Sequence, residues 1–514
     1  MPGAAPHRKV AAMTTRDDAA GPQRETFDLA VIGGGVNGAA IARDAAGRGL
    51  AVLLLEAGDF ASGTSSASTK LIHGGLRYLE HREFGLVREA LAERAVLWRT
   101  APHLVWPLRF VLPVAPGGRP WWELRAGLWL YDRLAGRGDP FAATRPVDLR
   151  REGPMLGLKP GSHRGYEYSD CRTDDARLTV LLARDAADRG AHVRRNATAT
   201  ALQRDREHWT IAVHDRRFTA RRLVLATGAR IGATMRLAGV APPSGLRRVR
   251  GSHVVVPRLH ADPRALFLQQ GDGRLVFALP YERDFTLVGT TDAEEPENAP
   301  PPVASDAEVA YLLAAANAVF ARQVSPGDVA WRFAGSRLLV DEGGGKPEAA
   351  SRGYRLLLDR GPDGAQAPLL AVLGGKLTTH RTLALAALDK LGVGGEAGWT
   401  ARAPLPGGDF EPAGLDEATN CAALEAELAA RAPQLDALSW HRLVRGYGTV
   451  ALGFAGGDMG EDLGHGLTEA ELDHLVRREW ALTAEDVLWR RSKLGLRFTP
   501  SQVAALASRM ERLR

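Results

Sequence analysis

The chain has 514 residues, 45% of them apolar and 25% charged, the balance of an ordinary globular protein with room for two or three domains. Its formal charge of +6 is modest for that length and comes with no recognised nucleic-acid motif, so DNA and RNA are not expected partners. Cys171 and Cys421 stand far apart in no CxxC or Cys/His pattern, so neither a disulfide framework nor a metal site is expected, and a reducing cytosolic environment fits.

Residues 1–26 are rich in Ala, Pro and charge, lack the apolar run of a signal peptide, and read as a disordered tail. No stretch approaches the run of about 18 apolar residues that a spanning helix needs. Phe27 to Ile32 is an apolar run, followed by glycines, a helix-compatible segment ending at Gly47 and Gly49, and the run Ala51 to Leu55. This predicts strand, helix and strand in a parallel unit. Between the first strand and the helix, Gly33, Gly35 and Gly38 match GxGxxG. The first glycine allows a tight turn, the second lets backbone approach a pyrophosphate, and the third lets helix and strand pack closely. Glu56 closes the second strand, where a carboxylate would hydrogen-bond the adenosine ribose and repel a 2′-phosphate, which argues against NADP.

From Trp106 to Arg133, aromatic residues mix with arginines, and Trp121, Leu124, Leu128 and Tyr131 fall at helical spacing. Such a helix packs on a core or lies in a lipid interface with arginines flanking it. Arg222 to Gly228 reads RLVLATG, an apolar strand ending in a small turn that approaches a flavin cofactor from a second side. From about Val249, the short runs Val254 to Val256, Leu266 to Leu268, Leu275 to Leu279 and Phe285 to Val288 predict an antiparallel sheet. Gly374 to Thr379 reads GGKLTT, which predicts a helix start whose amides face an electron-rich ring carbonyl, and this favours FAD over NAD. The loop Pro404-Leu405-Pro406-Gly407-Gly408 marks a boundary. After it, Thr468 with Glu471, Thr483 with Asp486, and Thr499 with Gln502 predict three capped helices, the third strengthened by Pro500.

At Thr64 to Leu79, TSSASTKLIHGGLRYL, the chain resembles the FAD-dependent glycerol-3-phosphate dehydrogenases of respiratory metabolism. The likeness continues through Tyr166 to Cys171, Arg250 to Arg258, Gly289 to Asp292, Gly374 to Arg381 and Leu488 to Lys493, in the expected order. It implies an α/β fold in which a Rossmann-like FAD-binding domain is interrupted by a mixed or antiparallel-sheet substrate domain and followed by a helical C-terminal domain. The expected bounds are 27–400 for the FAD domain (27–100, 150–248 and 350–400), with 101–149 and 249–349 inserted, and 401–514 for the C-terminal helices. It also implies oxidation of sn-glycerol 3-phosphate to dihydroxyacetone phosphate, electrons passing to a membrane quinone, and a peripheral place on the anionic inner face of the cytoplasmic membrane. A homodimer through the C-terminal helices stays open.

The resemblance further implies that Ser65, Ser66, Ser68, Lys70, Leu71 and His73 lie along FAD, with Gly228, Gly375, Lys376, Leu377 and Thr378 on its second side. Arg77, Arg337 and Arg352 match basic positions around the substrate, with Tyr78 adding a hydroxyl and Lys376 reaching both substrate and ring. His253 is the first choice for general base, because imidazole accepts a proton at neutral pH, and Arg337, as an electrostatic stabiliser, is its rival. Two departures stand out. Leu225-Ala226-Thr227-Gly228-Ala229-Arg230 replaces the usual Asn-Ala-Thr-Gly-Pro-Trp, and Gly335-Ser336-Arg337-Leu338-Leu339 replaces Gly-Val-Arg-Pro-Leu. They leave room for two other readings: an oxidase that passes electrons to oxygen, or a flavin-holding protein with lost or altered activity.

Overall fold

The computed structural model describes residues 26–114, 118–161, 163–340, 353–415 and 417–513. Residues 1–25 of the expected tail, and Arg352, lie outside them. A six-stranded sheet runs in the order Tyr354–Asp359, Leu369–Gly374, Leu223–Leu225, Leu29–Ile32, Val52–Leu55, His192–Arg194. All but the edge strand Tyr354–Asp359 are parallel. Its central strands are continuous apolar runs because both faces are covered. Leu29, Val31, Val52 and Leu54 face a core shared with the helices Val36–Gly47, Asp175–Asp188 and His380–Lys390, while Ala30, Ile32, Leu53 and Leu55 face a four-stranded meander. The expected strand from Phe27 to Ile32 is divided at Asp28: Thr26–Phe27 pairs with Arg216–Ala220 of the meander, and only Leu29–Ile32 enters the central sheet.

The second body is a ten-stranded sheet containing the strands expected beyond Val249, here Leu246–Pro257, Ala265–Gln269, Leu275–Tyr281 and Phe285–Gly289, together with Val105–Pro113 and Trp331–Val340. Arg164–Thr173 and Leu71–Ile72 also belong to this sheet, although they lie in stretches expected for the FAD portion. The reason is pairing, since Arg164–Thr173 matches Val105–Pro113 in antiparallel register along its whole length. An added strand that long contributes more hydrogen bonds here than it would at the edge of the short parallel strands.

The helix Trp121–Ala135 forms, but its expected face is split. Leu124, Leu128 and Tyr131 pack inward against the sheet, whereas Trp121, Trp122 and Trp129 are 45%, 60% and 58% exposed. Tyr131 is held inside by its hydroxyl, which donates to Asp170 at 2.8 Å and accepts from the Gly74 amide at 2.9 Å. Beyond the Pro404 to Gly408 loop, the helices Ala422–Arg431, Ala437–Tyr447, Glu469–Glu479 and Pro500–Arg512 enclose a core of their own. Thr468, Thr483 and Thr499 each accept the backbone amide of the third residue on, as the cap pattern predicts. Among the described residues no helix is long and apolar enough to cross a membrane.

Candidate active site

The carboxyl ends of the parallel strands lie side by side along one edge of the sheet, the edge where open α/β sheets hold ligands. Gly33 follows Leu29–Ile32 with φ +113°, and a Cβ there would be driven into the Ala226 carbonyl at the end of the neighbouring strand. A Cβ on Gly38 would be driven into the carbonyl of Gly33, so turn and helix sit closer than any side chain allows. Glu56 ends the next strand and accepts the amides of Gly34 at 2.6 Å and Gly58 at 2.8 Å. Burial raises the pKa of this carboxyl, and those two amides oppose the rise. Each of its oxygens keeps a lone pair for a ribose hydroxyl. Gly228, at φ +56°, and Gly375, at φ +99°, are exposed at the ends of the two strands on the other side. Asn37 ties the two walls together, its side-chain amide donating to the Gly374 carbonyl at 3.2 Å. The helix expected at the Gly374 doublet begins only at His380, and Lys376 to Thr379 form a turn before it. This cradle of bare backbone and one paired carboxylate fits an adenine dinucleotide.

The segment 64–79 joins the cradle to the second sheet. Ser65 Oγ accepts the Val36 amide at 2.9 Å at the start of the fingerprint helix. Ser68 and Lys70 are turned inward: Ser68 Oγ donates to Asp175 at 2.7 Å, and the buried Lys70 ammonium lies 2.7 Å from Asp175 and 3.0 Å from the Ser66 carbonyl. Burial lowers the pKa of Lys70, with Asp175 opposing. Leu71 is buried in the hydrophobic cluster beneath the substrate sheet. The side chains of Lys70 and Leu71 are thus committed away from the cradle, and the Lys70 amide and carbonyl are bonded to Ser68 Oγ and the Thr173 amide. The His73 amide donates to Thr378 Oγ1 at 3.2 Å, which brings this segment against the turn containing Lys376 and Leu377. Lys376 Nζ lies 3.6 Å from the centre of the Tyr78 ring. Arg77, beside it, is half-buried.

His253 and Arg337 stand on paired strands, Leu246–Pro257 and Trp331–Val340. His253 is 2% exposed, its ring parallel to Phe333 at 4.9 Å between centroids. Its Nε2 lies 3.0 Å from Thr69 Oγ1, while Nδ1 is buried with no hydrogen-bond partner among the described residues. Burial pushes its pKa well below the ordinary imidazole value, and the charges of Lys70 and Arg337 push the same way. Arg337 pairs with Asp292 at 3.0 Å through Nη2. The Thr64 hydroxyl donates to the Ser336 carbonyl at 2.6 Å, so this strand and the cofactor-side segment are stitched together.

The sequence reading missed Thr69, Asp292, Phe333 and Asn37. Thr69 and Asp292 lay inside quoted motifs, and Asn37 inside the fingerprint itself. Phe333 had no sequence signal, because its position opposite His253 is a matter of register. Of the departures, Leu225 is fully buried in an apolar strand and Leu338 packs against the same core, so hydrophobic residues suit both places. Arg230 is exposed, and its charge acts on Glu56.

Residues 28–381 match the model of a family described as FAD dependent oxidoreductase. The chain is 45% identical to the glycerol-3-phosphate dehydrogenase of Pseudomonas aeruginosa, over 95% of this chain and 96% of that protein. It is likewise 45% identical to the aerobic glycerol-3-phosphate dehydrogenase of Escherichia coli, over 92% and 95%. Among solved structures, the glycerol-3-phosphate dehydrogenase of Bacillus halodurans complexed with FAD superposes with a TM-score of 0.69 at 26% identity, covering 95% of this chain and 89% of that one. A glycine cradle closed by one acid, and relatives matched over nearly their whole length, lead to one assignment: the chain belongs to the FAD-dependent oxidoreductase family, with FAD as its cofactor.

Proposed function

We propose that the protein oxidises sn-glycerol 3-phosphate to dihydroxyacetone phosphate and that the electrons leave to a membrane quinone. The observation that carries this reading is His253, a buried neutral imidazole with an unpartnered nitrogen, close to Arg337 and joined through Thr69 to the segment that caps the cofactor helix. Bound FAD supplies the acceptor for the hydride that leaves the substrate's secondary carbon. His253 takes the hydroxyl proton, and the shift in its pKa keeps it ready to do so at neutral pH. Arg337, oriented by Asp292, and Arg77 hold the dianionic phosphate by charge-assisted hydrogen bonds, with Arg352 a further ligand in this reading. Lys376 and Tyr78 close the pocket where segment 64–79 meets the turn after Gly375.

Anaerobic titration of the yellow holoenzyme with glycerol 3-phosphate tests the reading directly. The visible flavin absorbance is expected to bleach in proportion to added substrate, and a spectrum that does not change overturns the assignment. Re-oxidation by a short-chain quinone is expected to outpace re-oxidation by oxygen, and the reverse order makes the protein an oxidase.

The same reading places the protein peripherally on an anionic membrane surface. Its support is the outward side of the helix Trp121–Ala135, where Trp122, Arg125, Trp129 and Arg133 are exposed at helical spacing and the Arg133 guanidinium lies 5.0 Å from the Trp129 ring. Aromatic rings at headgroup depth flanked by arginines suit that boundary. In flotation with anionic liposomes at low salt, the protein is expected to rise with the lipid, and the double change Trp122→Ala and Trp129→Ala to leave it in the dense fraction. Wild-type protein that stays dense contradicts the membrane contact.

A further inference from the structure

The motif Leu488 to Lys493 has no part in the chemistry so far, yet it is built into the fold with unusual care. It forms the π-helical turn Asp486–Arg491, closed by the Ser492 amide bonding back to the Val487 carbonyl at 3.0 Å. π-turns cost hydrogen-bond geometry and occur disproportionately at functional sites. Arg490 and Arg491 both clamp Asp59, at 2.6 and 2.7 Å, and Lys493 reaches Asp174 at 3.1 Å. Immediately before these anchors, Trp489 is directed onto Trp331 of the substrate sheet, the two rings stacked at 4.4 Å and 28°. Gly495 leaves room for the indole, since a Cβ there would be driven into it. Trp331 meets Phe333 at 4.4 Å, and Phe333 lies flat on His253.

The His253 ring needs such support. On one side it lies over Gly289, whose missing side chain leaves the space the imidazole occupies. Among the described residues Thr69 supplies the one hydrogen bond on its edge, so the plane of the ring depends on the aromatic wall opposite. The geometry points to Trp489 as a positioning residue, which holds the His253 imidazole in its working orientation through Trp331 and Phe333 and so makes the C-terminal domain part of the catalytic apparatus. This rests on His253 being the base. A misplacement of about 1 Å at a reacting group costs up to roughly 100-fold in rate, so loss of the outermost ring is expected to be felt.

The test is flavin reduction by stopped flow in the FAD-loaded enzyme, with rates taken per bound flavin. Trp489→Ala is expected to lower the limiting rate by about tenfold with little change in the substrate concentration for half-saturation. Its acid limb is expected to move to higher pH as water reaches the ring, with Lys70 and Arg337 still the charges bearing on it. Trp489→Phe, which keeps a ring on Trp331, is expected to restore most of the rate. In a His253→Asn background, Trp489→Ala is expected to cost nothing more, because the group it positions is gone. Should Trp489→Ala lose bound FAD, Trp331→Leu serves in its place. Histidine ¹⁵N spectra of the holoenzyme give a readout apart from turnover: the resonance absent from His253→Asn is expected to shift in Trp489→Ala. A rate per flavin and an acid limb identical to wild type, or an equal loss in both backgrounds, overturns the proposal. If His253→Asn itself reduces flavin normally, it is the assignment of the base that fails.

Discussion

His253→Asn is expected to slow flavin reduction by glycerol 3-phosphate on the order of 100- to 10,000-fold, the span that general-base catalysis normally supplies. Asparagine keeps the approximate shape and one hydrogen bond to Thr69 but cannot take a proton, so FAD content and substrate affinity are expected to change little. The pH dependence sharpens this expectation. The base must be neutral to act, and protonation abolishes it as pH falls. Because burial, Lys70 and Arg337 all lower its pKa, the wild-type limiting rate is expected to hold constant through pH 6.5 and decline only in more acid solution. Stopped-flow reduction from pH 5 to 8 measures both. Reduction by the variant at near the normal rate removes His253 as the base and leaves Arg337, an electrostatic stabiliser, as the principal group.

Gly38→Ala is expected to yield folded but largely colourless protein. Its methyl would be driven into a backbone carbonyl, that of Gly33, and neither the turn nor the helix can yield without opening the cradle. Overpacking of this kind costs about 1–3 kcal/mol, equivalent to roughly a 5- to 150-fold loss in FAD affinity. The check is the ratio of visible to ultraviolet absorbance after purification, with added FAD restoring part of the colour. A variant that retains its full complement of FAD argues that the nucleotide does not depend on this close packing. Gly85, helical like Gly38 but with open space where a Cβ would stand, is the natural control.

The cofactor half was legible because its signals are local. Gly33, Gly35, Gly38 and Glu56 lie within one strand, helix and strand, and the chemistry of a pyrophosphate and a ribose dictates their order. The C-terminal helix starts were legible for a similar reason: a threonine three residues before a carboxylate or amide is a cap wherever it occurs. Long-range register was not legible. No periodicity in Arg164–Thr173 reveals that it pairs with Val105–Pro113, and nothing in Phe333 or Trp331 announces the imidazole across the ladder. The Trp121 helix stayed open between core and lipid for a different reason. Spacing identifies a stripe, but whether that stripe faces core or solvent depends on Asp170 and the Gly74 amide, which bind Tyr131 from elsewhere in the chain.

Asp59 stands only three residues after Glu56, so a single short loop touches both the nucleotide cradle and Arg490 and Arg491 near the far end of the polypeptide. A chain ending before Thr483 would leave Asp59 with Arg195 as its cation among the described residues and would deprive Asp174 of Lys493. Asp174 would keep the Arg177 amide, but both carboxylates would lose charge-assisted bonds that now fix their loops. The last helices are thus no detachable appendage: shortening the protein from that end would undermine the cradle between Gly33 and Asp59.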